Sequence, residues 1–106
     1  MKIGIIISTN DAETAWNAFR FANFAIDKKD DVSIFLVGKG VEYESKGNEQ
    51  FNIIEQAGKF LDLGGKIFAC GTCLKQRNSA GSNLCPLSTM KDMHRIVTES
   101  DKILTF

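Results

Sequence analysis

Residues 65–77, Gly-Lys-Ile-Phe-Ala-Cys-Gly-Thr-Cys-Leu-Lys-Gln-Arg, decide the fold. Lys66–Ala69 is a short apolar run that predicts a buried strand. Gly71 breaks it, and the stretch at about 72–78 reads as a short helix. Cys70 therefore falls where a strand gives way to a helix. The first N–H groups of a helix have no partner within the helix, and their dipoles favour an anion. The spacing thus predicts a solvent-reachable Cys70 whose thiolate is favoured, with Gly71 and Thr72 supplying N–H donors and Lys75 or Arg77 positive charge.

The same strand-then-helix alternation extends outward in both directions. Lys2–Ser8 is an apolar run suited to a strand buried on both faces. Asn10 or Asp11 can cap a helix over about 11–28, followed by a strand at 32–37. Residues 39–50 are polar and predict a surface loop, in which 41–44 is the candidate for a fifth, short strand. A helix at about 48–62 carries Ile53, Ile54, Ala57, Phe60 and Leu61 on one stripe. Beyond the Cys70 segment, 78–83 is rich in Gly, Ser and Asn and reads as a mobile rim, as does 39–47. Ser88 or Thr89 can cap a last helix to about Glu99, and Lys102–Phe106 is a final strand. With no repeat or linker, residues 1–106 predict one α/β domain, with helices on both faces of a mainly parallel sheet of four to five strands.

Thirteen basic residues balance thirteen acidic ones, which leaves no basic footprint for nucleic acid. No window has the apolar length of a membrane span, and the apolar part of the N-terminus is too short for a secretory signal. An odd count of three cysteines argues against a secreted disulfide framework, so a cytoplasmic protein is expected. The helix at 11–28 has a second apolar stripe of Ala18, Phe21 and Ala25, which predicts a subunit interface on its outer side. Neither a G-x-G-x-x-G nor a G-x-x-x-x-G-K loop is present, which ranks a nucleotide or small-ligand binder last.

Four readings of the cysteines compete. Each can be a small buried hydrophobe. Cys70 and Cys73 can form a redox pair that closes a disulfide. Cys70, Cys73 and Cys85 with His94 would make a Cys3His zinc set, but no second C-x-x-C or close His pair completes that pattern, and no metal is expected. Lastly, a thiolate can take sulfane sulfur from a persulfide and yield it to another thiol.

The opening strand Lys2–Ser8, the phenylalanine-rich helix after Thr9-Asn10-Asp11, Val37–Val41, Ile67–Arg77, Cys85–Met90 and Asp101–Phe106 together resemble the DsrE/DsrF/DsrH-like family, with its YchN-like and TusD-like members. The resemblance runs along essentially the whole chain. It implies a three-layer α/β/α fold, no cofactor, assembly as a homotrimer or homohexamer, and sulfur donor and acceptor proteins as partners. It also implies that Cys70, at the position of the family's persulfide cysteine, is the nucleophile. Cys73 is then an auxiliary or resolving thiol, with Gly71, Thr72, Arg77 and Cys85 around the substrate. Two departures from the relay members stand out. Gly71-Thr72-Cys73 replaces the small apolar residues that follow their cysteine, and the partner subunits of such relays are not encoded in this chain. The alternative is a non-catalytic redox switch or binding subunit using a Cys70–Cys73 disulfide.

Overall fold

A computed structural model describes all of residues 1–106. Five strands, β1 Lys2–Ile7, β2 Asp31–Leu36, β3 Lys66–Cys70, β4 Leu87–Ser88 and β5 Lys102–Thr105, form one sheet in the order β4-β3-β2-β1-β5. Every pairing is parallel. Because parallel neighbours need crossovers, the helices α1 Ala12–Asp27, α2 Ile53–Asp62, α3 Gly71–Gln76 and α4 Met90–Glu99 fill the connections.

The two faces are unequally covered. Ile3, Ile5 and Ile7 of β1, with Val32, Ile34 and Leu36 of β2, pack under Phe19 and Ala22 of α1 and Ala57 and Phe60 of α2 in the main core. Each such large side chain contributes about 1.5–3 kcal/mol by leaving water. The opposite face has a small core in which Phe35, Cys70 and Ile96 of α4 are buried, flanked by half-buried Val37, Phe68, Met93 and Ile103. The outer stripe of α1 divides: Ala18 and Ala25 are buried, whereas Phe21 and Phe24 are 40% and 60% exposed.

Three sequence expectations change. Residues 41–44 are not a strand, because Gly38–Ser45 winds as a 3-10 helix whose Val41 and Tyr43 are buried. The fifth strand is the two-residue β4 at the sheet edge, where Ser88 pairs with Cys70. Helix α2 begins at Ile53 rather than 48, because the Asn48 side chain accepts the Phe51 N–H at 2.8 Å and closes a turn that helix geometry would not permit. Asn52 then caps α2 by accepting the Glu55 N–H at 3.1 Å. Of the two candidate caps for α4, Thr89 is the one used, in a reciprocal capping box with Asp92, a device worth about 1 kcal/mol. No helix is long and apolar enough to cross a membrane.

Candidate functional site

Strand β3 ends at Cys70, which is the N-cap residue of α3, and Cys73 is the third residue of that helix. The i, i+3 spacing puts both side chains on one face of the turn, and Cys73 packs against the small core that holds Cys70. All three cysteines are free thiols. Cys70 is only 3% exposed, packed with Phe35 and Ile96. This corrects the expectation of a solvent-reachable sulfur: the α4 layer closes over the end of β3. Nor does Cys70 cap α3 with its side chain, and a six-residue helix presents only a weak dipole. Gly71 and Thr72 nonetheless flank Cys70 at the start of the helix.

Cys70 nevertheless borders open space. A cavity of about 210 Å3 is lined by Cys70, Gly71, Thr72 and Lys75 on one side and by Leu87, Ser88, Thr89 and Met90 on the other. Gly71 lets this wall close up: a Cβ there would stand 2.9 Å from the Ser88 carbonyl oxygen. Most of its lining surface is apolar, with Thr72, Ser88, Thr89 and Lys75 among the lining residues.

Cys73 is half-buried and faces the end of β2, where the Gly38 N–H donates to its Sγ at 3.2 Å. Burial pushes the Cys73 thiol above its ordinary range, and the neighbouring Cys70 adds to this. The Gly38 N–H and the Arg77 guanidinium pull the other way.

Arg77 and Cys85 lie elsewhere. Arg77 Nε donates to Glu42 Oε2 at 2.7 Å, and its Nη1 donates to the Cys73 carbonyl at 3.0 Å. Cys85 is buried, donates weakly to the Val41 carbonyl at 3.7 Å, and is pushed up to about 11 by burial and by Glu44. Both border a separate space of about 390 Å3 with Glu42, Glu44 and Ser82. The loop carrying Cys85 does not form a free rim. Ser82 Oγ donates to Glu44 Oε1 at 2.6 Å, and the Tyr43 hydroxyl donates to the Leu84 carbonyl. The structure thus joins Cys70, Cys73, Gly71 and Thr72, and sets Arg77 and Cys85 apart. His94 is exposed on α4, and no three His, Cys, Asp or Glu side chains gather closely enough to hold a metal ion.

Sequence reasoning missed Gly38, Glu42 and Asn10. Asn10 Nδ2 donates to Glu42 Oε1 at 3.3 Å, so Glu42 ties the loop after β1 and the 3-10 helix to the end of α3. A lone glutamate within a polar stretch gave no signal of this role. The Arg77 hydrogen bond, and then that of Asn10, hold the Glu42 carboxyl below its usual range. A lowered folded pKa gives stability that is present above the ordinary carboxylate pKa and lost as pH falls through the folded one. Thermal unfolding should therefore shift to lower temperature below about pH 4. Glu42→Gln should flatten part of that dependence, with Asp11, held low by the Thr14 N–H and hydroxyl, carrying another part. An unchanged acid profile in Glu42→Gln would mean the pair adds nothing to stability.

A five-stranded, all-parallel α/β domain with a cysteine pair at the carboxyl end of β3 has the YchN-like fold. The chain superposes on the YchN protein of Escherichia coli with a TM-score of 0.84 and 20% identity, covering all of both chains. It superposes on the conserved protein BT1422 of Bacteroides thetaiotaomicron with a TM-score of 0.80 and 22% identity, covering 99% of this chain and 94% of that one. Residues 1–106 match the DsrE/DsrF-like family, and the chain belongs to it. Two archaeal relatives are 34% identical to it. The uncharacterized protein MJ0989 of Methanocaldococcus jannaschii is matched over the full length of both chains. The uncharacterized protein MK0008 of Methanopyrus kandleri is matched over 89% of this chain and 83% of its own. Membership of that family supports a general sulfur-relay class.

Proposed function

We propose that this protein carries sulfane sulfur as a persulfide on Cys70 and passes it to an acceptor thiol. The observation that carries the reading is the cavity of about 210 Å3 whose wall includes the Cys70 side of the cysteine pair. The Cys70 thiolate attacks the outer sulfur of a donor persulfide, R–S–SH, to give Cys70–S–SH and RS⁻. The outer sulfur then sits in the cavity, whose lining includes Thr72, Lys75, Ser88 and Thr89. An acceptor thiolate attacking that outer sulfur regenerates the Cys70 thiolate. The exposed Leu87 and Met90, 52% and 54% accessible, flank the cavity and give an acceptor protein an apolar rim to rest on.

The test is peptide mapping by mass spectrometry after incubation at neutral pH with a low-molecular-weight persulfide. One added sulfur atom on Cys70 is expected. Modification of another cysteine, with Cys70 untouched, would overturn the assignment. Assembly as a homotrimer or homohexamer belongs to the same proposal, and the exposed Phe21 and Phe24 of α1 are apolar surface such an assembly could cover. A solution mass equal to one chain would remove it.

A thiol redox switch is the second reading, favoured by the placement of Cys70 and Cys73, both free thiols, one turn apart at the start of α3. It predicts disulfide closure under mild oxidation and no uptake of sulfur from a persulfide.

A further inference from the structure

We propose that the groove between α1 and α2 binds a small zwitterion, an α-amino acid, by its ammonium and carboxylate groups. This does not depend on the persulfide reading. Helices α1 and α2 pack on the main core, whereas Cys70 is buried in the small core on the opposite face of the sheet.

Asn23 of α1 is only 3% exposed. Its Nδ2 donates twice to Gln56 of α2, to the main-chain carbonyl at 3.1 Å and to Oε1 at 3.0 Å. That fixes the amide, because with nitrogen and oxygen exchanged an oxygen would face two oxygens. Asn23 Oδ1 is left as a buried acceptor with no hydrogen-bond partner, and it is the one such side-chain atom in the chain. Buried polar atoms are nearly always paired, so this oxygen marks a place for a donor that the chain does not itself supply.

Asn23 is also the one buried residue in the wall of a cavity of about 210 Å3, which it shares with Arg20, Phe24, Asp27, Gln56 and Lys59. The two walls differ in hydrogen-bonding character. On α1, Asp27 stands four residues after Asn23, on the same face, and adds a carboxylate to the unpaired oxygen. On α2, Lys59 stands three residues after Gln56 and adds an ammonium. Gln56 Oε1 is taken by Asn23, which leaves Gln56 Nε2 as the donor of that amide. Neither Asp27 nor Lys59 enters an ion pair within the chain. Arg20 is engaged elsewhere: its Nη1 donates to Asn17 Oδ1 at 3.0 Å, and its guanidinium lies 4.4 Å from the centre of the Trp16 ring.

Acceptors on one wall and donors on the other complement a molecule with an ammonium and a carboxylate on one carbon. The ammonium donates to Asn23 Oδ1 and Asp27, and the carboxylate accepts from Gln56 Nε2 and Lys59. Both sets are charge-assisted, which makes them the stronger kind of hydrogen bond. Asn23 Oδ1 lies beneath the surface, so the exposed side chains of Arg20 and Phe24 part as the ligand enters. Phe24, 60% exposed, gives the ligand's side chain an apolar wall. The cavity is smaller than the roughly 300–1,000 Å3 of sites for drug-sized molecules, which suits a single amino acid.

The experiment titrates the full chain, in its solution assembly, with L-leucine, whose side chain suits the apolar wall. It repeats the titration with 3-methylbutylamine, which lacks the carboxylate, and with 4-methylpentanoate, which lacks the ammonium. Calorimetry reads affinity, and two-dimensional 15N NMR reads the side-chain amide signals of Asn23 and Gln56. L-Leucine should bind and shift both amide signals. Each half-molecule should bind about tenfold more weakly or worse, because it forfeits the charge-assisted hydrogen bonds of one wall. Asp27→Asn and Lys59→Met alter exposed residues, and each should weaken L-leucine about tenfold at an unchanged melting temperature. No binding of L-leucine, or shifts that spare both amides, would overturn the inference. So would a half-molecule that binds as tightly as L-leucine, or an affinity unchanged in both variants.

Discussion

Cys70→Ala is expected to reduce sulfur uptake from a persulfide to the level of the buffer, while costing little stability. Its packing contribution is small. The side chain is buried against Phe35 and Ile96, and deleting one sulfur from such a site costs about 1 kcal/mol, or roughly 5 °C in Tm for a domain of this size. The chemical loss is far larger, because neither remaining cysteine can replace Cys70. Cys85 is buried and pushed up to about 11. At pH 8 such a thiol is ionised in only about one molecule in a thousand. Its loop is also held by the Ser82–Glu44 and Tyr43–Leu84 hydrogen bonds. Cys73 is likewise raised by burial and does not border the cavity where a donor would enter. Side-by-side thermal melts and mass spectra of the wild type and Cys70→Ala separate the two effects. A Cys70→Ala protein that melts normally and still gains one sulfur would place the nucleophile on another residue.

The elements legible in the sequence are those long enough to show a period. The apolar runs of β1 and β2 and the single stripe of α2 are visible because burial on the sheet demands them. Strand β4 is two residues long and exists only because Ala69 and Cys70 offer it an edge. Nothing within Leu87–Ser88 announces it. The 3-10 helix hides for a different reason. Its polar composition imitates a loop, and its buried Tyr43 is tolerated because the hydroxyl meets the Leu84 carbonyl from 41 residues away. The adjacency of Cys70 and Cys73 follows from local spacing and was readable. The burial of Cys70 was not, because it depends on Phe35 and Ile96 from β2 and α4. The pairing of Arg77 with Glu42 spans 35 residues and turns a residue that resembled an anion-binding side chain into a tie between α3 and the 3-10 helix.

That tie makes Gly40→Ala the substitution with the largest expected effect on the fold. The Cβ of alanine at position 40 would collide with the Ile7 carbonyl oxygen and stand 2.8 Å from the Ile7 carbonyl carbon. Both atoms belong to the backbone of β1, and that carbonyl already accepts the Val37 N–H at 3.0 Å. Unlike the end of a flexible side chain, neither can move aside without disturbing the sheet. The cost is about 3 kcal/mol, or on the order of 15 °C in Tm. The damage should extend to the cysteines, because the same short helix begins at Gly38, whose N–H meets Cys73, and carries Glu42, which holds Arg77. Faster alkylation of Cys73 should therefore accompany the lowered Tm. Gly58→Ala provides the contrast. Gly58 lies within α2, an added Cβ there meets nothing within 4 Å, and relief of glycine's helix penalty should raise stability by up to about 1 kcal/mol. If Gly40→Ala instead melts with the wild type and leaves Cys73 alkylation unchanged, the close approach of the 3-10 helix to β1 does not fix the position of the cysteine pair.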